Sequence, residues 1–95
     1  MKHDITIFTF TPEATFYQEL MKLGEEVGEV FAECYIGDKM DQYSGDFDEQ
    51  RQNIANELGD VLQVTFNLIE WLGVDIQKVI FATHEKNVNR SYYAE

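Results

Sequence analysis

The chain has 95 residues, 18 acids against 7 bases, and a formal charge of −11; that is one domain at most, with the wrong sign for a nucleic-acid backbone or an anionic membrane as main partner. A phosphate substrate stays compatible with this charge if a metal cation stands between it and the protein. Apolar residues at 44% and aromatics at 14% exceed what a disordered acidic tail carries, and the single cysteine, Cys34, excludes an internal disulfide and hence a secreted disulfide scaffold.

In chain order, MKHDITIFTFT interrupts its apolar residues with Asp4 and threonines and lacks a signal-peptide core. It reads as an extended arm over residues 1–11, carrying Ile5, Ile7, Phe8 and Phe10. Thr11-Pro12-Glu13 has the pattern of a helix start: a hydroxyl cap, proline at the first helical position and an acid in the first turn. The first helix is expected to run from there to about Tyr35, with Phe16, Leu20, Leu23, Val27, Val30, Phe31 and Cys34 at three- and four-residue steps and the stripe centred near Leu23, Val27 and Cys34. Residues 37–47 are polar and glycine-punctuated and read as a loop. A second helix starts near Asp48 and ends at Gly73, a natural stop, and Asp75 caps a third carrying Ile76, Val79 and Ile80. The tail SYYAE is expected to be frayed or docked on a partner. No apolar run approaches the ~18–20 residues that span a bilayer, so a cytoplasmic, all-α, single-domain protein is expected, with three main helices per chain.

The acids are not scattered. Glu19, Glu25, Glu26, Glu29 and Glu33 fall on one face of the first helix, where Glu26 and Glu29 are three apart and Glu29 and Glu33 four. Like charges at that spacing repel by a few tenths of a kcal/mol per exposed pair, more when partly buried. A solvated acidic surface is the plain explanation. Against it stands a second pair on the next helix, Glu57 and Asp60, three apart and sharing a polar–apolar border with Val64, Asn67 and Trp71. Consecutive helices pack antiparallel, so Glu26 and Glu29 can face Glu57 and Asp60. Four carboxylates in one groove are costly without divalent cations, and hard oxygen ligands suit Mg²⁺, with Mn²⁺ a possible substitute. His3 and His84 lie far apart in sequence, and no Cys/His cluster points to zinc.

Together these residues resemble the MazG-like all-α nucleoside triphosphate pyrophosphatases. E-E-x-x-E at Glu25, Glu26 and Glu29 is followed by E-x-x-D at Glu57 and Asp60, with 27 residues between Glu29 and Glu57, and the later Lys86, Asn87 and Arg90 are similar to that family's K-N-x-x-R element. The resemblance covers residues 16–92; the acids between Asp38 and Glu49 have no counterpart in its motifs. It implies hydrolysis of a nucleoside triphosphate between the α and β phosphates, giving monophosphate and pyrophosphate, as in nucleotide-pool housekeeping. Glu26, Glu29, Glu57 and Asp60 would hold Mg²⁺, with Glu25 or Glu29 orienting water. Lys86 and Arg90, four apart and with Asn87 between them, would hold outgoing phosphates, though taken alone such a pair is more often a solvated helix end favoured by the dipole. Lys22 is either a phosphate contact or an i,i+4 ion pair to Glu26. Trp71 and Tyr35, with Phe8 and Phe10, are candidate stacking surfaces for a base, or simply core and interface aromatics. Gly59 is open to two readings, close helix approach or plain tolerance.

Two alternatives stand beside this reading. Phosphoribosyl-ATP pyrophosphatase resembles the same fold and carboxylate pattern. From another class, a noncatalytic acidic helical protein could imitate nucleic acid or dock on a basic partner. Assembly is expected as well. The apolar arc of the second helix divides into Leu58, Leu62, Phe66 and Ile69, assigned to the protomer interior, and Val64, Leu68, Trp71 and Leu72, assigned to a second chain across a two-fold interface. The resemblance likewise implies a homodimer or a homotetramer built as a dimer of dimers.

Overall fold

A computed structural model describes residues 1–11, 13–36 and 47–90. Pro12, most of the expected loop, the tail from Ser91, and the side chains of Tyr35, Ile36 and Phe47 lie outside the described residues. Three helices are present, α1 (Phe16–Ile36), α2 (Phe47–Trp71) and α3 (Ile76–Asn89), and among the described residues there is no strand. The all-α expectation holds.

Helix α1 starts later than expected. Thr15 and Gln18 satisfy each other: the Gln18 backbone N–H donates to Thr15 Oγ1 at 3.2 Å, and the Thr15 N–H donates to Gln18 Oε1 at 3.0 Å. This reciprocal box closes two of the free N–H groups of the first turn, whereas Thr11 remains outside the helix. Phe47 is already helical, so the expected loop is one residue too long at its end. At the other end of α2 the chain turns at Gly73, whose φ of 71° lies in the left-handed region that glycine enters without a steric penalty. Two residues on, Asp75 caps α3 by accepting from the Lys78 N–H at 3.2 Å.

Helices α1 and α2 form an antiparallel hairpin. Phe16 meets Trp71 at one end, with ring centroids 6.5 Å apart, and Gln50 Nε2 donates to the Glu33 carbonyl at 2.8 Å towards the other. The core between them is thin: Val64 and Leu68 are buried at 4% and 6% exposure, with Glu19 and Asn67 buried beside them. Helix α3 contains no buried residue and packs against α2. The radius of gyration of 16.1 Å exceeds the roughly 13 Å of a compact domain of this length.

This packing reverses the expected faces. Val64 and Leu68, assigned to a partner chain, are the core, and Leu58 and Leu62, assigned to the interior, are 47% and 55% exposed; only Trp71 and Leu72, at 43% and 60%, keep the exposure their assignment requires. Phe66 and Ile69 are half-buried. On α1 the core side is likewise rotated towards the acids: Leu23, Val30 and Cys34 are half-buried, whereas Leu20, Val27 and Phe31 are exposed. Both shifts have one cause. The helices face each other along their acidic borders, and Val64 and Leu68 continue the row of Glu57 at seven- and eleven-residue steps. Leu20, Val27, Phe31, Leu58 and Leu62 are left on the far side of the hairpin.

Candidate metal centre

Helical spacing places Glu26 and Glu29 one turn apart on α1, and Glu57 and Asp60 one turn apart on α2. The antiparallel hairpin then brings the two pairs to the same level. Each of the four offers a carboxylate oxygen, and these oxygens all lie within 4.8 Å of one another. Glu26 and Glu57 are half-buried and Glu29 and Asp60 exposed, so the group opens to solvent on one side and rests on the core on the other.

The electrostatics are those of crowded acids. Burial pushes the Glu57 carboxyl above its ordinary range; Glu29, in hydrogen-bonding reach, adds to this, as do the charges of Glu29, Asp60 and Glu26. The Glu26 carboxyl rises for the same leading reason, burial, with further contributions from Glu29 and Asp60 and a partial offset from Lys22. Glu57 Oε2 is buried without a hydrogen-bond partner. A buried, unpaired carboxylate oxygen carries its full desolvation cost. The donor set fits a hard divalent cation: four carboxylates, all oxygen, in a half-open group.

The other expected site residues are placed differently. Glu25 is exposed and outside the group of four, and Glu19 is buried in the hairpin rather than lying on an acidic face. The charge of Lys22 partly offsets the rise of the Glu26 carboxyl. Lys86, Asn87 and Arg90 ride on α3, which packs against α2, the helix that carries Glu57 and Asp60. Trp71 packs against Phe16 at the end of the hairpin, eleven residues beyond Asp60 or about 16 Å along α2, which removes it from the carboxylates. The Tyr35 side chain lies outside the described residues. Gly59 has no heavy atom within 4 Å of where a Cβ would stand, which leaves close helix approach within the protomer without support.

Two residues without an assigned role in the sequence belong beside this group. Gln63 Nε2 donates to the Phe8 carbonyl at 2.7 Å and to Asn67 Oδ1 at 3.0 Å, and Asn67 Oδ1 also accepts the Phe10 N–H at 2.9 Å. They fix the arm against α2 on the side that bears Asp60. The signal for them was two amides four apart within a largely apolar stretch, VLQVTFNLIEWL.

A long helical hairpin that converges four carboxylates from its two facing helices defines a class: all-α proteins built around an acidic centre. The sequence profile of the MazG nucleotide pyrophosphohydrolase domain matches residues 15–93, and the chain belongs to that family. The match begins at the N-cap Thr15 and leaves the arm outside it. No individual curated protein and no solved structure matches the chain. Among the described residues, no helix is long and apolar enough to cross a membrane.

Proposed function

We propose that the chain is a Mg²⁺-dependent nucleoside triphosphate pyrophosphohydrolase that uses water to cleave between the α and β phosphates, releasing monophosphate and pyrophosphate, in cytoplasmic nucleotide-pool housekeeping. The observation that carries this reading is the convergence of Glu26, Glu29, Glu57 and Asp60 around the buried, unpartnered Glu57 Oε2. These four residues would hold the cation, with Mn²⁺ able to replace Mg²⁺. When bound, it supplies the positive charge that lets a polyphosphate approach an acidic groove and polarises the phosphoryl oxygens.

The remaining work falls to the chain. Glu29 is exposed and within hydrogen-bonding reach of both half-buried acids, so it is better placed than Glu25 to orient the attacking water. Lys22 stands one turn before Glu26 and offers a cation to the phosphates. Lys86, Asn87 and Arg90 on α3 would hold the outgoing phosphates at the carboxylates of a neighbouring protomer. This extends the proposal to a homodimer or dimer of dimers. Its interface is the far side of the hairpin, where Leu20, Val27, Phe31, Leu58 and Leu62 are exposed, and the open shape of the protomer supports it.

Product analysis tests the reaction. A panel of ribo- and deoxynucleoside triphosphates, with phosphoribosyl-ATP included, should yield pyrophosphate and monophosphate in equal amounts. Diphosphate plus inorganic phosphate would place the cleavage elsewhere, and no turnover of any member would favour a noncatalytic acidic protein.

A further inference from the structure

The arm ends in a feature that the carboxylate centre does not use. Burial alternates along it with period two: Ile7 and Thr9 are half-buried, whereas Phe8 and Phe10 are 70% and 63% exposed. In an extended chain, residues two apart share a face and an edge. The Phe8 carbonyl and the Phe10 N–H are therefore taken from one edge by Gln63 and Asn67, whose amides serve as a strand partner would. Phe8 and Phe10, both exposed, stand two residues apart, the spacing that puts side chains on one face of an extended stretch, about 7 Å apart in ideal geometry. Gln63 and Asn67 stand three and seven residues beyond Asp60 on the same side of α2, about 5 and 10 Å along the axis.

We propose that Phe8 and Phe10 form the nucleobase platform of this chain, with Gln63 and Asn67 as the positioning residues that hold it beside the carboxylate centre. This rests on the nucleotide reading above. Exposed phenyl rings on an unanchored arm would lose their stacking energy to ordering; the Gln63–Asn67 bracket fixes the backbone in advance. Stacking on an aromatic face accepts any base, so the platform favours a nucleoside triphosphate over a bare polyphosphate without selecting one base strongly.

The test is binding to the full-length chain in Mg²⁺, with α,β-methylene nucleoside triphosphates of four bases and inorganic tripolyphosphate as probes. Phe8→Ala and Phe10→Ala should each weaken the nucleotide analogues by roughly tenfold or more, while tripolyphosphate affinity moves less than about twofold. Asn67→Ala should do the same and speed hydrogen exchange at the Phe10 amide. Asn67→Asp, which keeps the acceptor oxygen, should restore both. In turnover, the loss should appear in KM rather than kcat. Equal weakening of tripolyphosphate and nucleotide, or a Phe8→Ala chain whose only change is its oligomeric state, would overturn the platform. Absence of pyrophosphate release from every nucleotide in the wild type would instead sink the enzymatic reading, and the binding contrast would still decide the role of the arm.

Discussion

Glu29 and Glu57 stand on opposite helices of the hairpin, each bringing a carboxylate oxygen within 4.8 Å of the other, and the nearness of Glu29 helps to raise the Glu57 carboxyl above its ordinary range. The pair joins α1 to α2 at a place where joining them is electrostatically unfavourable. A fold that holds two acids together this way is weakened by their charge and strengthened by anything that neutralises it.

The pH dependence follows. Glu26 and Glu57 have raised carboxyls in the folded chain, so the folded state binds protons more tightly than the unfolded one. Their favourable contribution is complete below the ordinary carboxylate range and is lost as pH rises through the raised values. The melting temperature in chelator should therefore fall as pH rises through the window just above that range. Glu57→Gln should flatten the fall. A melting temperature that climbs through the same window would contradict the crowding of these acids.

Divalent cations should replace the proton. At neutral pH, Mg²⁺ or Mn²⁺ should raise the melting temperature by mass action on the folded state, and NaCl of equal ionic strength should do less. Equal shifts would mean simple screening of a solvated acidic surface.

The reversed faces of α2 give a stability contrast. Leu68→Ala removes buried core and should cost about 2–5 kcal/mol in denaturant unfolding. Leu62→Ala, at an exposed position, should stay within about 0.5 kcal/mol in dilute, dissociated protein. Leu62→Asp should instead lower the apparent mass in solution, because that face is proposed to meet a second protomer. A Leu62→Asp chain with unchanged assembly would remove the far side of the hairpin from the interface.

Much of this was legible in residue spacing. The steps from Glu26 to Glu29 and from Glu57 to Asp60 fix two one-turn carboxylate pairs, and antiparallel packing does the rest. Gly73 and Asp75 mark the end of α2 and the start of α3 by local chemistry alone. The start of α1 misled because Thr11-Pro12-Glu13 carries cap signals as good as those of Thr15 and Gln18, and only the reciprocal hydrogen bonds separate them. The faces of α2 misled for a different reason. Its apolar arc is wide enough to read two ways, yet the row Glu57, Val64, Leu68 already tied the core to the acids. The docking of the arm had no periodic signal at all: it rests on side-chain amides reaching backbone groups 55 and 57 residues away.

Pyrophosphate release from a nucleoside triphosphate, followed as Mg²⁺ is titrated in the wild type and in Glu57→Gln, joins the carboxylates to the chemistry most directly. The wild type should show no release in chelator and a saturable rise with Mg²⁺. Glu57→Gln should remain folded and fall by roughly a hundredfold or more, the scale on which loss of one charge-stabilising group acts. Near-native release by Glu57→Gln at limiting Mg²⁺, or release by the wild type without any divalent cation, would show that the four carboxylates are not the catalytic centre.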